Sequence, residues 1–178
     1  MSLEDLTLVE VADAIRTRRV TSREVVETCL ARISDWQPRL NAFAAVLADS
    51  ARAAADCADA AVAGGRPLGP LHGVPLAHKD MFFRASRRSS LGSHNASPAW
   101  GAGESSLLGR LDAAGAIEIG TLNMCEFALG PTGHNAWLGD CRNPWQTDHI
   151  ACGSSSGGGA AIAARLAFGS FGSDTGGS

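Results

Sequence analysis

Apolar positions recur every three or four residues at the start of the chain: Leu8, Val11, Ala12 and Ile15, then Val25, Val26, Cys29, Leu30 and Ile33. That spacing gathers each set on one face of an α-helix. Thr7 to Glu10 and Thr21 to Glu24 precede the two sets with the Thr-x-x-Glu spacing of a capping box, so two amphipathic helices are predicted. A third, alanine-rich helix is expected from about Ser50 to Val62, closed by Gly64 and Gly65, which suit a left-handed C-terminal cap. These three helices carry packing rather than chemistry. From Gly73 the pattern changes. "GVPLAHKD" (73–80) is a short apolar run ending in polar residues, as in a buried strand that delivers side chains to a cleft. "SSLLGRLDAAG" (105–115) reads as a helix and "AIEIG" (116–120) as a strand. Strand, helix, strand in that order predicts an α/β fold with parallel strands. The stretch 130–151 holds Pro131, Gly133, Gly139 and Pro144 and reads as a long loop, after which "GGGAAIAARLAF" (157–168) reads as a small-residue helix whose Gly and Ala faces permit close approach of neighbouring backbone. There are no internal repeats and no clean domain boundary.

Composition narrows the partners. With 178 residues, 45% of them hydrophobic, and a net charge of −3, the chain has the makings of one soluble globular domain. Mild acidity offers no electrostatic footprint for nucleic acid or an anionic membrane, so a small-molecule partner is expected. The first residues carry carboxylates where a signal peptide would carry basic residues, and no apolar run reaches the ~18 residues of a membrane helix. A cytoplasmic protein is the expectation. Five cysteines (Cys29, Cys57, Cys125, Cys141, Cys152) form no CxxC and are odd in number, in keeping with free thiols in a reducing compartment. Cys141, His149, Cys152 and Asp140 match no known ligand spacing, so no metal is expected.

Two features carry chemistry. Fourteen of the fifteen basic residues are arginine, and the single lysine, Lys79, ends the apolar run "VPLAH". Burial disfavours a charged amine, and a lysine there can become a neutral base, which arginine cannot. The second feature is "GSSSGGGAA" (153–161). Read as G-x-S-x-G it would put Ser155 at the nucleophile of an α/β-hydrolase elbow, but no buried strand precedes it and no histidine follows it. It also lacks the G-K-[ST] of a phosphate-binding loop.

Three blocks in order, "GVPLAHKD", "GSSSGGGAAIAA" and "GSDTGGS" (172–178), resemble the amidase signature family. "GTLNMCEFALGPTGHN" (120–135) and "RNPW" (142–145) are similar to the segments that join those blocks, so the likeness covers nearly everything beyond Leu71. The resemblance implies N-terminal helices (1–70) followed by part of a mixed, mostly parallel sheet with flanking helices (71–178), a single partial domain over 1–178. It implies a catalytic Lys79, a bridging Ser154 in a cis peptide after Gly153, and a nucleophilic Ser178, with Ser155 and Asp174 in support. The backbone N–H groups of Thr175, Gly176, Gly177 and Ser178 would converge on the oxyanion, and no cofactor is needed. The implied activity is hydrolysis of a carboxylic amide to acid and ammonia or amine through an acyl-enzyme. A glutaminase subunit of a tRNA-dependent amidotransferase is the close alternative, and a noncatalytic fragment the other. The small-molecule partner is then an amide, with a homodimer or amidotransferase subunits as protein partners and no direct nucleic-acid contact.

Three residues depart from the usual pattern without removing a reacting group: Cys152 in place of glycine, Gly158 in place of serine and Ser173 in place of threonine. In chemical terms, a serine hydroxyl becomes a nucleophile when a base takes its proton, and a neutral lysine can do so directly or through an intervening hydroxyl, the place the resemblance gives Ser154. The chain ends at Ser178, well short of the family's length, so a fragment inactive on its own is expected. A terminal carboxylate there would repel the oxyanion.

Overall fold

The computed structural model describes residues 2–66, 68–96 and 103–178. Helices α1 (Leu8–Arg16) and α2 (Ser22–Leu40) both start on reciprocal capping boxes: the threonine hydroxyls of Thr7 and Thr21 accept from the backbone N–H of Glu10 and Glu24, whose carboxylates accept in return. Helix α2 continues past its apolar set through Pro38 and stops at Asn41, in the left-handed conformation. Strand β1 (Phe43–Val46) follows at once, then α3 (Ala48–Ala63), capped beyond its end by Gly65 at φ 64° while Gly64 stays at φ −79°.

The predicted strand, helix and strand are β2 (Pro75–Lys79), α4 (Ser106–Ala113) and β3 (Ile117–Leu122), with β2 and β3 parallel. Helix α5 (Ser156–Ala163) and the short strand β4 (Ser170–Phe171) complete a four-stranded mixed sheet of order β1-β3-β2-β4, β1 being antiparallel to β3 and β4 parallel to β2. Two expectations change. Strand β1 falls where only helices were predicted: four residues are too few to show a period, and they are held by β3 and by the Gln37 side-chain amide, which exchanges two hydrogen bonds of 2.9 Å with the Phe43 backbone. Helix α5 begins at Ser156, one residue before the predicted start, and ends at Ala163, short of the predicted Phe168, because Arg165 turns left-handed at φ 56°.

The core lies on both faces of the sheet. On one, Ala77 and Ile119 pack with residues of α2, α3 and α5, among them Val26, Ala55 and Ala161. On the other, Leu76 meets Val11, Val25, Leu108 and Leu111. Alternation along β2 puts Lys79 on the Ala77 side and His78 on the Leu76 side. Helix α5 reaches the sheet through Gly157, where a Cβ would stand 2.2 Å from Ala42 O and 2.6 Å from Asn123 N. Glycine alone allows that approach. Among the described residues no helix is long and apolar enough to cross a membrane.

Candidate active site

Lys79 ends β2 with 1% of its surface exposed, and Ser154 is fully buried. Lys79 Nζ donates to Ser154 Oγ at 2.5 Å and to Ser173 Oγ at 2.8 Å. Two hydroxyls therefore receive the buried amine. Burial pushes the Lys79 pKa below its ordinary 10.5, and nearby Cys125 and Asp174 oppose that shift in part.

The Gly153–Ser154 peptide is cis. It is gripped from both sides by one segment: Gly153 N–H donates to Pro131 O at 2.8 Å, and Cys125 N–H donates to Ser154 O at 3.1 Å. No side chain fits at position 153, since a Cβ would lie 2.6 Å from Cys125 Sγ and 2.8 Å from Gly133 N. Ser155 ties this turn to the one after β4: its Oγ accepts from Ser173 N–H and donates to Ser173 O, both at 3.3 Å. The parallel pairing of His78 with Phe171 delivers Ser173 to the lysine.

Asp174 Oδ1 accepts from Gly177 N–H at 2.7 Å and from Ser178 N–H at 3.1 Å. Two of the four N–H groups expected to converge on an oxyanion thus point at a carboxylate that closes the turn. Ser178 lines a cavity of about 200 Å3 between residues 128–131 and 175–178. The structure joins Lys79 to Ser154 and Ser173, and among the described residues no hydrogen bond links Ser178 Oγ to any of them. A larger cavity, about 370 Å3, lies near α5 among Leu8, Trp145, Ile162 and Arg165 and contains none of these groups.

Ser173 is the residue that sequence reasoning treated only as a departure from threonine. Its position one residue before Asp174 was the available signal. The cysteine and histidine set at 140–152 does not assemble: Asp140 pairs with His134 at 2.9 Å, His149 with Asp148 at 2.8 Å, Cys141 is buried and Cys152 exposed. Among the described residues no group of three or more metal-binding side chains occurs.

The chain is similar to known proteins along most of its length. The family profile described as Amidase matches residues 24–178. A glutamyl-tRNA(Gln) amidotransferase subunit from Halorhodospira halophila is 43% identical over 97% of this chain and 35% of its own length. The protein of the same name from Geobacter sulfurreducens is 43% identical over 100% of this chain and 36% of its own length. A crystal structure of an amidase superposes with a TM-score of 0.91 at 35% identity, covering 97% of this chain and 39% of that one. The native peptide amidase of Stenotrophomonas maltophilia gives 0.83 at 33% identity, covering 92% and 35%. The chain spans about a third of the length of the curated relatives it matches. Its profile match across most of its length and the superposition agree, and the chain belongs to the amidase signature family.

Proposed function

We propose that Lys79, Ser154 and Ser178 are the base, the relay and the nucleophile of a serine amidase in the polypeptide that carries this sequence. The observation that supports this most is the 2.5 Å contact between a buried amine and a buried hydroxyl. An amine whose charged form is disfavoured takes the Ser154 proton as Ser154 takes that of Ser178, so the nucleophile is activated without a free charge crossing the core. The hydroxyl attacks the amide carbonyl, the tetrahedral oxyanion is held by N–H groups of 175–178, and the C–N bond breaks as the leaving amine or ammonia receives the proton. Water then repeats the relay in reverse and releases the acid. Asp174 shares the Gly177 and Ser178 N–H groups, so their use on an oxyanion requires the turn to open toward the cavity.

The test is covalent labelling by a fluorophosphonate, read by mass spectrometry. The tag is expected on Ser178, with the labelling rate reduced about 10²-fold or more by Lys79→Ala or Ser154→Ala, the scale of general-base catalysis. Equal labelling in all three proteins overturns the assignment. The names of the amidotransferase relatives favour glutamine as the amide and partner subunits as the recipients of its ammonia. Turnover of glutamine against simple aliphatic amides separates that reading from a general amidase.

A further inference from the structure

We propose that Asn135 is a positioning residue for the Ser154 hydroxyl, acting through the single peptide unit between Met124 and Cys125. This rests on the relay role proposed for Ser154.

Asn135 is 3% exposed and uses all four of its side-chain hydrogen bonds. Its Nδ2 donates to Met124 O at 2.7 Å and to Gly92 O at 2.8 Å. Its Oδ1 accepts from Trp137 N–H and Leu138 N–H, both at 2.8 Å. A buried amide with every donor and acceptor matched has one orientation available to it. The Met124 carbonyl and the Cys125 N–H belong to the same rigid peptide plane, and that N–H is the one that holds Ser154 O at 3.1 Å. An unbroken path therefore runs from Asn135 Nδ2 through one peptide plane to the backbone of the serine whose Oγ receives Lys79.

Hydrogen bonds in such a chain polarise one another, so fixing one end strengthens the other. The second donor arm fixes the distance to the turn at Gly92, a position with no room for a side chain of its own: a Cβ there would stand 2.9 Å from Asn135 Nδ2 and 3.0 Å from Met124 O. Without Asn135 the carbonyl of buried Met124 loses that donor, a loss that a tilt of the peptide plane relieves. The tilt withdraws the Cys125 N–H from Ser154.

Lys79 is the only lysine in these 178 residues, and in protein made with [13Cε]lysine its side-chain resonance, assigned by its loss in Lys79→Arg, reports on the partner of Nζ. Asn135→Leu is close in volume, removes both donors and adds no charge. Its lysine titration midpoint is expected to fall by about half a unit or more, because Nζ loses the well-placed acceptor that favours its charged form. Ser154→Ala is expected to shift it in the same direction, and Asn135→Leu added to Ser154→Ala to shift it no further. An unchanged midpoint in Asn135→Leu, or shifts that add, overturns the proposal. Through-hydrogen-bond scalar couplings from Asn135 Nδ2 to the Met124 carbonyl carbon, and from Cys125 N to that of Ser154, read the path in the unsubstituted protein. Absence of either overturns it whether or not the variants fold. Failure of fluorophosphonate labelling at Ser178 with these couplings intact would count against the amidase reading alone.

Discussion

Gly157→Ala and Gly159→Ala change the same helix by the same methyl group and are expected to move stability in opposite directions. At Gly157 the new Cβ would meet Ala42 O at 2.2 Å, Asn123 N at 2.6 Å and Asn123 O at 2.8 Å, against about 3.4 Å for ordinary contact. All three atoms are backbone at the edges of β1 and β3, so α5 must lift by about 1 Å. Overpacking of this kind costs about 1–3 kcal/mol, and lengthening the 2.9 Å bond from Gly157 N–H to Asn123 O adds roughly 1 kcal/mol. Alanine returns about 0.8–1 kcal/mol of helix propensity. The net loss is about 1–3 kcal/mol, which for a chain of this size lowers Tm by about 2–12 °C. Gly159 has nothing within 4 Å of its Cβ position and keeps only the propensity gain, a rise of about 2–4 °C. Thermal unfolding followed by circular dichroism reads both. A Gly157→Ala protein that melts at or above the parent temperature would refute the seating of α5 against the sheet.

Other consequences can be checked separately. Burial lowers His78 to about 4 from its ordinary 6.5, so the unfolded chain takes up a proton first as the pH falls; stability is full above about 6.5, declines toward pH 4 and loses about 3 kcal/mol in all, and urea unfolding of His78→Leu across that window is expected to lack the decline. Ser173→Ala removes one acceptor from Lys79 and lowers its titration midpoint, whereas Ser173→Thr keeps the hydroxyl and holds the midpoint near that of the parent; equal midpoints in all three proteins would show that the 2.8 Å contact is absent in solution. A thiol reagent is expected to modify Cys57 and Cys152 in the folded protein and to reach Cys29, Cys125 and Cys141 only in denaturant, as peptide mapping would show.

What could be seen in the sequence divides by range of interaction. The caps of α1 and α2 and the parallel β2-α4-β3 unit are written in local spacing, and they stand where periodicity puts them. Strand β1 was invisible because its identity comes from β3, more than seventy residues away, and from the Gln37 bracket. The start of α5 was legible in its run of glycine and alanine, where packing on Ala42 and Asn123 outweighs the poor helix propensity of glycine, whereas its early end was not, since the left-handed Arg165 has no signature in the apolar run 162–168. In the site, the apolar run before Lys79 announced a buried amine. That Ser173 shares the amine could not be read, since it depends on the register between β2 and β4, and the four-way use of Asn135 depends on three loops meeting.

The one side-chain amine of these 178 residues sits buried at the end of an inner strand, so on their surface arginine alone supplies the permanent side-chain cations. Acylating reagents therefore find no lysine to modify in this part of the fold while it is intact, and an adduct on Lys79 marks a molecule that has opened.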